Sequence, residues 1–302
     1  IKSINSPEIL EKNNEAIWFV NNRVIKYNKD ENFISDRVKR ATLLKGFVPE
    51  ITSFGKNMYS YHKLTGQVVS KSSNRGTFMN LLKYLEAFWE PVNLEDSEKK
   101  RFIETCNKFY KDKTLKRVQL YFDRFSEQDE VECINGNTVP KVKTLLSKVP
   151  WEKLAQGHPS RVHGDLHFEN ILLSESGDFF LLDWRQSFGG LMEYGDIYYD
   201  LAKLYHGLIM SHELVNKGLF SISKNDNIIN YNFLRKHSLV ENQEQLFQYI
   251  DEKSLNTYKV KLLTAIIFLN IAALHHYPYS KILFYLGKET LNNLLAEKKN
   301  EK

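Results

Sequence analysis

The residues with the clearest chemical potential lie in His163-Gly164-Asp165-Leu166-His167-Phe168-Glu169-Asn170 and in Leu182-Asp183-Trp184. Asp165 precedes Asn170 by five positions, and Asp183 follows after a short apolar–turn–apolar stretch. Phosphoryl transfer asks little covalent help of a protein. It needs a carboxylate to orient the attacking hydroxyl and oxygen ligands to hold a metal on the phosphates. Magnesium takes a few carboxylate or amide oxygens and keeps several waters. Asn170 and Asp183 offer such oxygens, and Asp165 offers the proton-accepting carboxylate. Ile171-Leu172-Leu173, the turn Ser174–Asp178 and Phe179–Leu182 read as a hairpin that brings Asn170 and Asp183 to one end of two adjacent strands.

The elements that must position these groups fall into two parts. Ile17–Val20 and Arg23–Tyr27, joined by Asn21-Asn22, read as a β-hairpin with a two-residue turn. Apolar positions from Phe33 to Leu44 have helical spacing, ended by Gly46 and Pro49. Met58–Leu64 reads as a strand, with Gly66 turning the chain. From Thr77 the pattern is helical: Phe78, Leu81, Leu82, Leu85 and Phe88 share a face. Phe102–Tyr110 and Leu115–Phe125 continue it, while Ser126–Pro140 is polar and expected to be a loop. After Asp183, helices are expected over 196–210, 242–250, 255–275 and 280–296. The fold class expected is α+β and bilobal, with a small β-rich lobe (residues 1–66) and a larger, mainly helical lobe (67–302).

The H-x-D-x-x-x-x-N spacing matches the kinase catalytic loop. With H-G-D-x-x-x-x-N, Asp183-Trp184 and Gly195-Asp196-Ile197-Tyr198-Tyr199-Asp200-Leu201-Ala202 in order, the chain resembles the aminoglycoside phosphotransferase and choline kinase family, which has a protein kinase-like fold. The resemblance implies a magnesium-dependent kinase using ATP or GTP, with Asp165 as catalytic base and Asn170 and Asp183 as metal ligands. It implies that His163 and Asp196 brace the catalytic loop. Lys26, in Val24-Ile25-Lys26, stands where the family's strand lysine reaches the nucleotide phosphates. Tyr59, Tyr61 and His62 stand where backbone groups at the lobe hinge would meet the base. His167, Trp184 and Arg185 are candidate acceptor contacts.

Two departures bear on the nucleotide. Gly46 is the first glycine in the chain, so no glycine-rich loop precedes Lys26. The expected cover is a hairpin without glycine, or residues preceding Ile1 in a longer protein. The helix after Lys26 offers Asp36 rather than a glutamate to orient the lysine. The alternative reading is a nucleotide-binding pseudokinase or scaffold. A protein kinase is disfavoured, because only twelve residues separate Asp183 from Asp196 and no A-P-E-type segment occurs.

The acceptor is less defined. Lys261, His275, His276, Lys281 and Lys288, with few acids near them, argue against a polycationic antibiotic. Trp184, Tyr194, Tyr198, Tyr199, Tyr205, Tyr277 and Tyr279 offer rings for a choline-type cation, although rings at helical spacing more often serve the core. Arg185 suits a sugar carrying phosphate or carboxylate. Asp183–Gly190 is similar to kinase-like domains beside sugar nucleotidyltransferases in surface-polysaccharide pathways, so a fused or neighbouring nucleotidyltransferase is an expected partner. The chain has 302 residues, 42% hydrophobic, and a net charge of +5. That mild excess suits an anionic ligand without indicating nucleic acid. Two cysteines, no signal-like segment and an interrupted apolar run at Leu262–Leu274 lead to the expectation of a cytoplasmic chain with no membrane contact.

Overall fold

The computed structural model describes residues 8–300 apart from residue 13. Its N-terminal part is an antiparallel sheet of β1 (Glu8–Lys12), β2 (Glu15–Val20), β3 (Arg23–Asn28), β4 (Ile51–Phe54) and β5 (Met58–His62), in the order β1-β2-β3-β5-β4. Asn21 and Asn22 both take positive φ, 45° and 62°, as a type I′ turn requires. Helix α1 (Glu31–Leu43) is capped by Asp30, whose carboxylate accepts the Asn32 and Phe33 amides.

The chain then crosses as β6 (Gly66–Val68), a strand rather than the turn expected at Gly66. It pairs with β10 (Ile171–Ser174), which pairs with β11 (Phe179–Leu181). A Cβ on Gly66 would lie 2.3 Å from the Leu173 carbonyl oxygen, so glycine is needed for the two backbones to approach.

Between these come α2 (Val69–Ser72), α3 (Arg75–Phe88), α4 (Asp96–Asn107) and α5 (Lys113–Phe125); a π-turn at Lys108–Asp112 joins the last two. Strands β7 (Glu132–Ile134) and β8 (Asn137–Val139) follow, then α6 (Val142–Lys148), α7 (Trp151–Ala155) and β9 (Pro159–Ser160). After β11 come β12 (Gly195–Asp196), α8 (Ile197–Ile209), α9 (His212–Asn216), β13 (Phe220–Asn225), β14 (Ile228–Phe233), α10 (His237–Glu252), α11 (Thr257–Ala272) and α12 (Tyr279–Asn300). The segment expected as a loop therefore holds a hairpin, turned by Asn135-Gly136 with both φ positive. With β13 and β14 it forms a four-stranded sheet, β13-β14-β7-β8, against α12. Lys288 of α12 reaches Glu132 of β7 at 2.5 Å, both side chains almost fully buried. The apolar run at 262–274 is mostly α11, buried on nearly all sides beneath α8 and α12. No helix of the described residues is long and apolar enough to cross a membrane.

One side chain of α1 ties the two parts together. Arg40 is completely buried. Its guanidinium donates to the carbonyls of Val162 (2.5 Å), Arg185 (2.5 Å) and Met192 (3.1 Å). Burial lowers its pKa to about 10, which still leaves it charged at neutral pH. Removing a buried cation strands these carbonyls, a loss of about 3–5 kcal/mol. Arg40→Met should lower the unfolding free energy in urea by that order, and an unchanged midpoint would contradict this account of how the parts are joined.

Candidate active site

The loop from Val162 to Asn170 is fixed from several directions. Asp200, buried in α8, accepts the amides of His163 (2.7 Å) and Gly164 (2.8 Å) and the Trp89 indole N–H (3.2 Å). Gly164 has φ +86°, and a Cβ there would lie 2.8 Å from Cβ of Arg185. His163 is buried, and burial pushes its pKa down to about 3, so the ring is neutral. Nδ1 accepts the Asp165 amide (3.2 Å), which leaves Nε2–H to donate to the Leu182 carbonyl (2.8 Å). The ring thus links the loop carrying Asp165 to the strand end carrying Asp183.

Asp165 accepts from Lys203 Nζ at 2.7 Å, and His167 Nε2 lies 3.7 Å from its other oxygen. Burial alone would raise its pKa. Lys203, His167 and Arg185 overcome that and hold it well below the usual carboxylate range. Asp165 is therefore ionised, and its weak basicity suits orienting a hydroxyl more than early proton removal. His167 also meets Glu169 (3.0 Å) and stacks on His212, with centroids 5.9 Å apart.

Asn170 donates Nδ2–H to the Asp165 carbonyl (2.9 Å), and its own carbonyl accepts the Leu182 amide (2.7 Å). With the amide nitrogen so committed, Oδ1 is the atom Asn170 offers a metal. Asp183, at φ 59°, accepts from Lys26 (2.6 Å) and Arg37 (2.7 Å) on the same oxygen, Oδ1. These cations outweigh burial and hold it well below the usual range. Its second oxygen and Asn170 Oδ1 are the oxygens these two residues could offer a metal. That fits magnesium when nucleotide phosphates and water complete the shell. Among the described residues, no three His, Cys, Asp or Glu side chains gather as a metal cage.

Lys26 is thus oriented by Asp183 rather than Asp36, which lies 3.9 Å from Lys39 on the exposed side of α1. Where a glutamate was sought, α1 presents Arg37. Its guanidinium lies 4.8 Å over Phe33, and its carbonyl accepts the Trp184 indole N–H (3.0 Å). Lys26, Arg37 and Asp183 line a cavity of ≈ 370 Å³ that is closed further by Glu15 to Ile17 of β2.

Several expected contacts stand elsewhere. The backbone of Tyr59 and Tyr61 is paired in β5 between β3 and β4, while the Tyr59 side chain lines the same cavity as Lys26, Arg37 and Asp183. Burial raises both phenols to about 12. His62 pairs with Arg23 of β3, and the next amide, of Lys63, donates to the Asn22 carbonyl (2.9 Å). Trp184 is a core ring, 1% exposed, 6.0 Å from Tyr59. The bracing expected of Asp196 comes from Asp200. Asp196 instead caps α8 through the Tyr198 amide (3.2 Å) and holds the His158 amide (2.9 Å) and the Tyr110 hydroxyl (2.8 Å). The seven aromatic residues weighed for a choline cage do not gather: Tyr194 packs near Phe102, Tyr199 against Phe109, Tyr205 against Phe247 and Tyr279 against His275. The sequence did not single out Arg40 or Lys203, and it offered Arg37 only as a second choice for the phosphate clamp after Lys26. A signal for Lys203 was present, since Asp200 and Lys203 are three apart on one helix.

The phosphotransferase enzyme family (APH) matches residues 105–215, which contain the catalytic loop, Asp183 and α8. No curated protein matches the sequence. The chain superposes on LicA in complex with AMP (TM-score 0.54, 13% identity, covering 95% of this chain and 93% of that one). It also superposes on a putative fructosamine-3-kinase from Haemophilus somnus (0.55, 13%, 96% and 91%) and on Plasmodium vivax ethanolamine kinase (0.53, 14%, 97% and 84%). The fold is protein kinase-like, and the chain is similar in motif to phosphotransferases that act on alcohol groups.

The neutral His163 makes stability pH-dependent. Unfolded, it takes up a proton near 6.5; folded, only near 3. The unfolded state binds more protons in that window, so stability from this residue is full above 6.5 and is lost as pH falls. The pH slope of the urea unfolding free energy between pH 6 and 4 should be smaller in His163→Gln by about 1.4 kcal/mol per unit. Equal slopes would mean that His163 is charged in the folded protein.

Proposed function

We propose that this protein is a small-molecule kinase, transferring the γ-phosphate of ATP (or GTP) to an alcohol hydroxyl with magnesium. One observation carries the reading. Asp165, Asn170 and Asp183 are tied into one unit by the Asn170–Asp165 and Leu182–Asn170 hydrogen bonds, while Asp183 receives two cations from the N-terminal part. That the structurally similar LicA was solved in complex with AMP supports a nucleotide as one ligand.

Magnesium, held by Asn170 and Asp183, would neutralise charge on the phosphate oxygens. Lys26 and Arg37 have N–H groups beyond those given to Asp183, and the buried Nε of Arg37 has no partner, so both can turn to the phosphates. This two-cation clamp stands in place of a lysine–glutamate pair. Asp165 aligns the acceptor hydroxyl and takes its proton as the bond to phosphorus forms. Lys203 keeps that carboxylate ionised and placed. The convergence of all these groups favours catalysis over the pseudokinase reading. We retain residues 1–66 as the nucleotide lobe and 67–302 as the lobe carrying catalytic and acceptor groups. A sugar-type acceptor, a precursor for a nucleotidyltransferase, is favoured over choline because the seven aromatic residues do not gather among the described residues.

ADP release from Mg·ATP, screened over pooled alcohols, tests the reading. Acceptor-dependent release is expected, and Asp183→Ala should abolish magnesium-dependent nucleotide binding. Lys26→Ala should weaken nucleotide binding about tenfold, near 1.4 kcal/mol. Unaltered binding in both variants would move the phosphate site elsewhere.

A further inference from the structure

A second set of cations approaches Asp165 from the helical part, and the phosphate clamp does not use it. Lys203 binds the carboxylate at 2.7 Å and Arg185 lowers its pKa, while Lys113 and Arg117 act in turn on Arg185. Among the described residues, no carboxylate pairs with Arg185, Lys113 or Arg117. Lys113 has only the Tyr199 hydroxyl (3.4 Å) and the rings of Phe109 (4.2 Å) and Tyr199 (5.4 Å). The Arg185 guanidinium lies 5.3 Å over Phe109, and its buried NH1 has no hydrogen-bond partner.

These groups feel one another. Burial lowers the pKa of Lys113, and Arg185 and Lys203 lower it further; Arg117 is lowered by burial and then by Arg185. Burial would raise the phenol of Tyr199, yet Lys113, Lys203 and Arg185 bring it down to about 8. Like charges held together away from water oppose folding, and an arriving anion relieves that cost. Phe109, Lys113 and Arg117 open onto a cleft of ≈ 520 Å³ closed by Gly189, with Asp112 its single acid and Lys108 and Lys116 also in its lining. The π-turn at Lys108–Asp112 forms this wall, a local form frequent at functional sites.

We propose that this cleft holds an anionic group of the acceptor, so that the hydroxyl presented to Asp165 belongs to a phosphorylated or carboxylated alcohol. The proposal rests on the kinase reading for the hydroxyl's fate, but not for binding of the anion. Guanidinium groups pair bidentately with phosphate and carboxylate alike, which is why the chemistry is shared by both.

Two measurements separate the claims. The first is calorimetric titration of the protein with glucose 6-phosphate and with gluconate, against glucose and choline. The second is ADP release from Mg·ATP with the same four compounds. Binding of one or both anionic compounds at least tenfold tighter than of glucose and choline is expected, lost at least tenfold in Arg185→Ala and in Lys113→Ala/Arg117→Ala, with thermal melts confirming that the variants fold. Preference for the phosphate or for the carboxylate identifies the source of the charge. Arg185→Lys should recover only part of the affinity, because the bidentate fork is gone. Anion binding without turnover of any alcohol would leave the cleft in place and overturn the kinase reading. Equal affinity for glucose or choline, or unchanged anion binding in the variants, would overturn the anionic-acceptor proposal whether or not ADP is released.

Discussion

The backbone at Val162–Gly164 is held between a buried cation and a buried anion, and the site depends on that arrangement. Arg40 takes the carbonyls of Val162 and Arg185, while Asp200 takes the amides of His163 and Gly164. Buried charges persist only when hydrogen-bonded and opposed. Here that requirement dictates geometry. Arg40 comes from a helix of the N-terminal part and Asp200 from a helix of the C-terminal part. Satisfying both fixes where α1 lies relative to the loop, and Arg37, one turn earlier on α1, is then delivered to Asp183.

The same logic runs through the reacting groups. Each candidate carboxylate is paired with cations: Lys26 and Arg37 at Asp183, Lys203 at Asp165. Ion pairing keeps both carboxylates charged despite burial. Among the described residues, Arg185, Lys113 and Arg117 have no such acid, an excess of positive charge suited to an anionic ligand. His163, held neutral, couples the two carboxylate-bearing segments without adding charge.

Much of this was legible in the sequence. Asn21-Asn22 announced its hairpin because few pairs accept positive φ twice. The spacing of Asp165, Asn170 and Asp183 pointed to one place in the fold, because the tight hairpin after Asn170 leaves little freedom in how the segments meet. Other features were hidden for physical reasons. Arg37 and Arg40 sit beside Lys39 in what reads as a solvated basic face, and only tertiary packing shows that Arg40 is buried and Arg37 mostly covered. Tyr59 and Tyr61 share the strand expected at the hinge, and only the pairing on both sides of β5 shows their backbone engaged in the sheet. The β7–β8 strands have three residues each, too few for alternation to show, and their parallel partner β14 lies far along the chain. Asp196 drew attention as the motif's acid, whereas the loop is held by Asp200, one helical turn further.

The proposed role of Asp165 is to direct the acceptor hydroxyl at an electropositive site. It is tested most directly by comparing single-turnover phosphoryl transfer in the wild-type protein and Asp165→Asn, at saturating Mg·ATP, with the acceptor identified by the alcohol screen. The account predicts a fall of roughly 10²-fold or more in the transfer rate with nucleotide affinity retained. Transfer in Asp165→Asn at near the wild-type rate would contradict it.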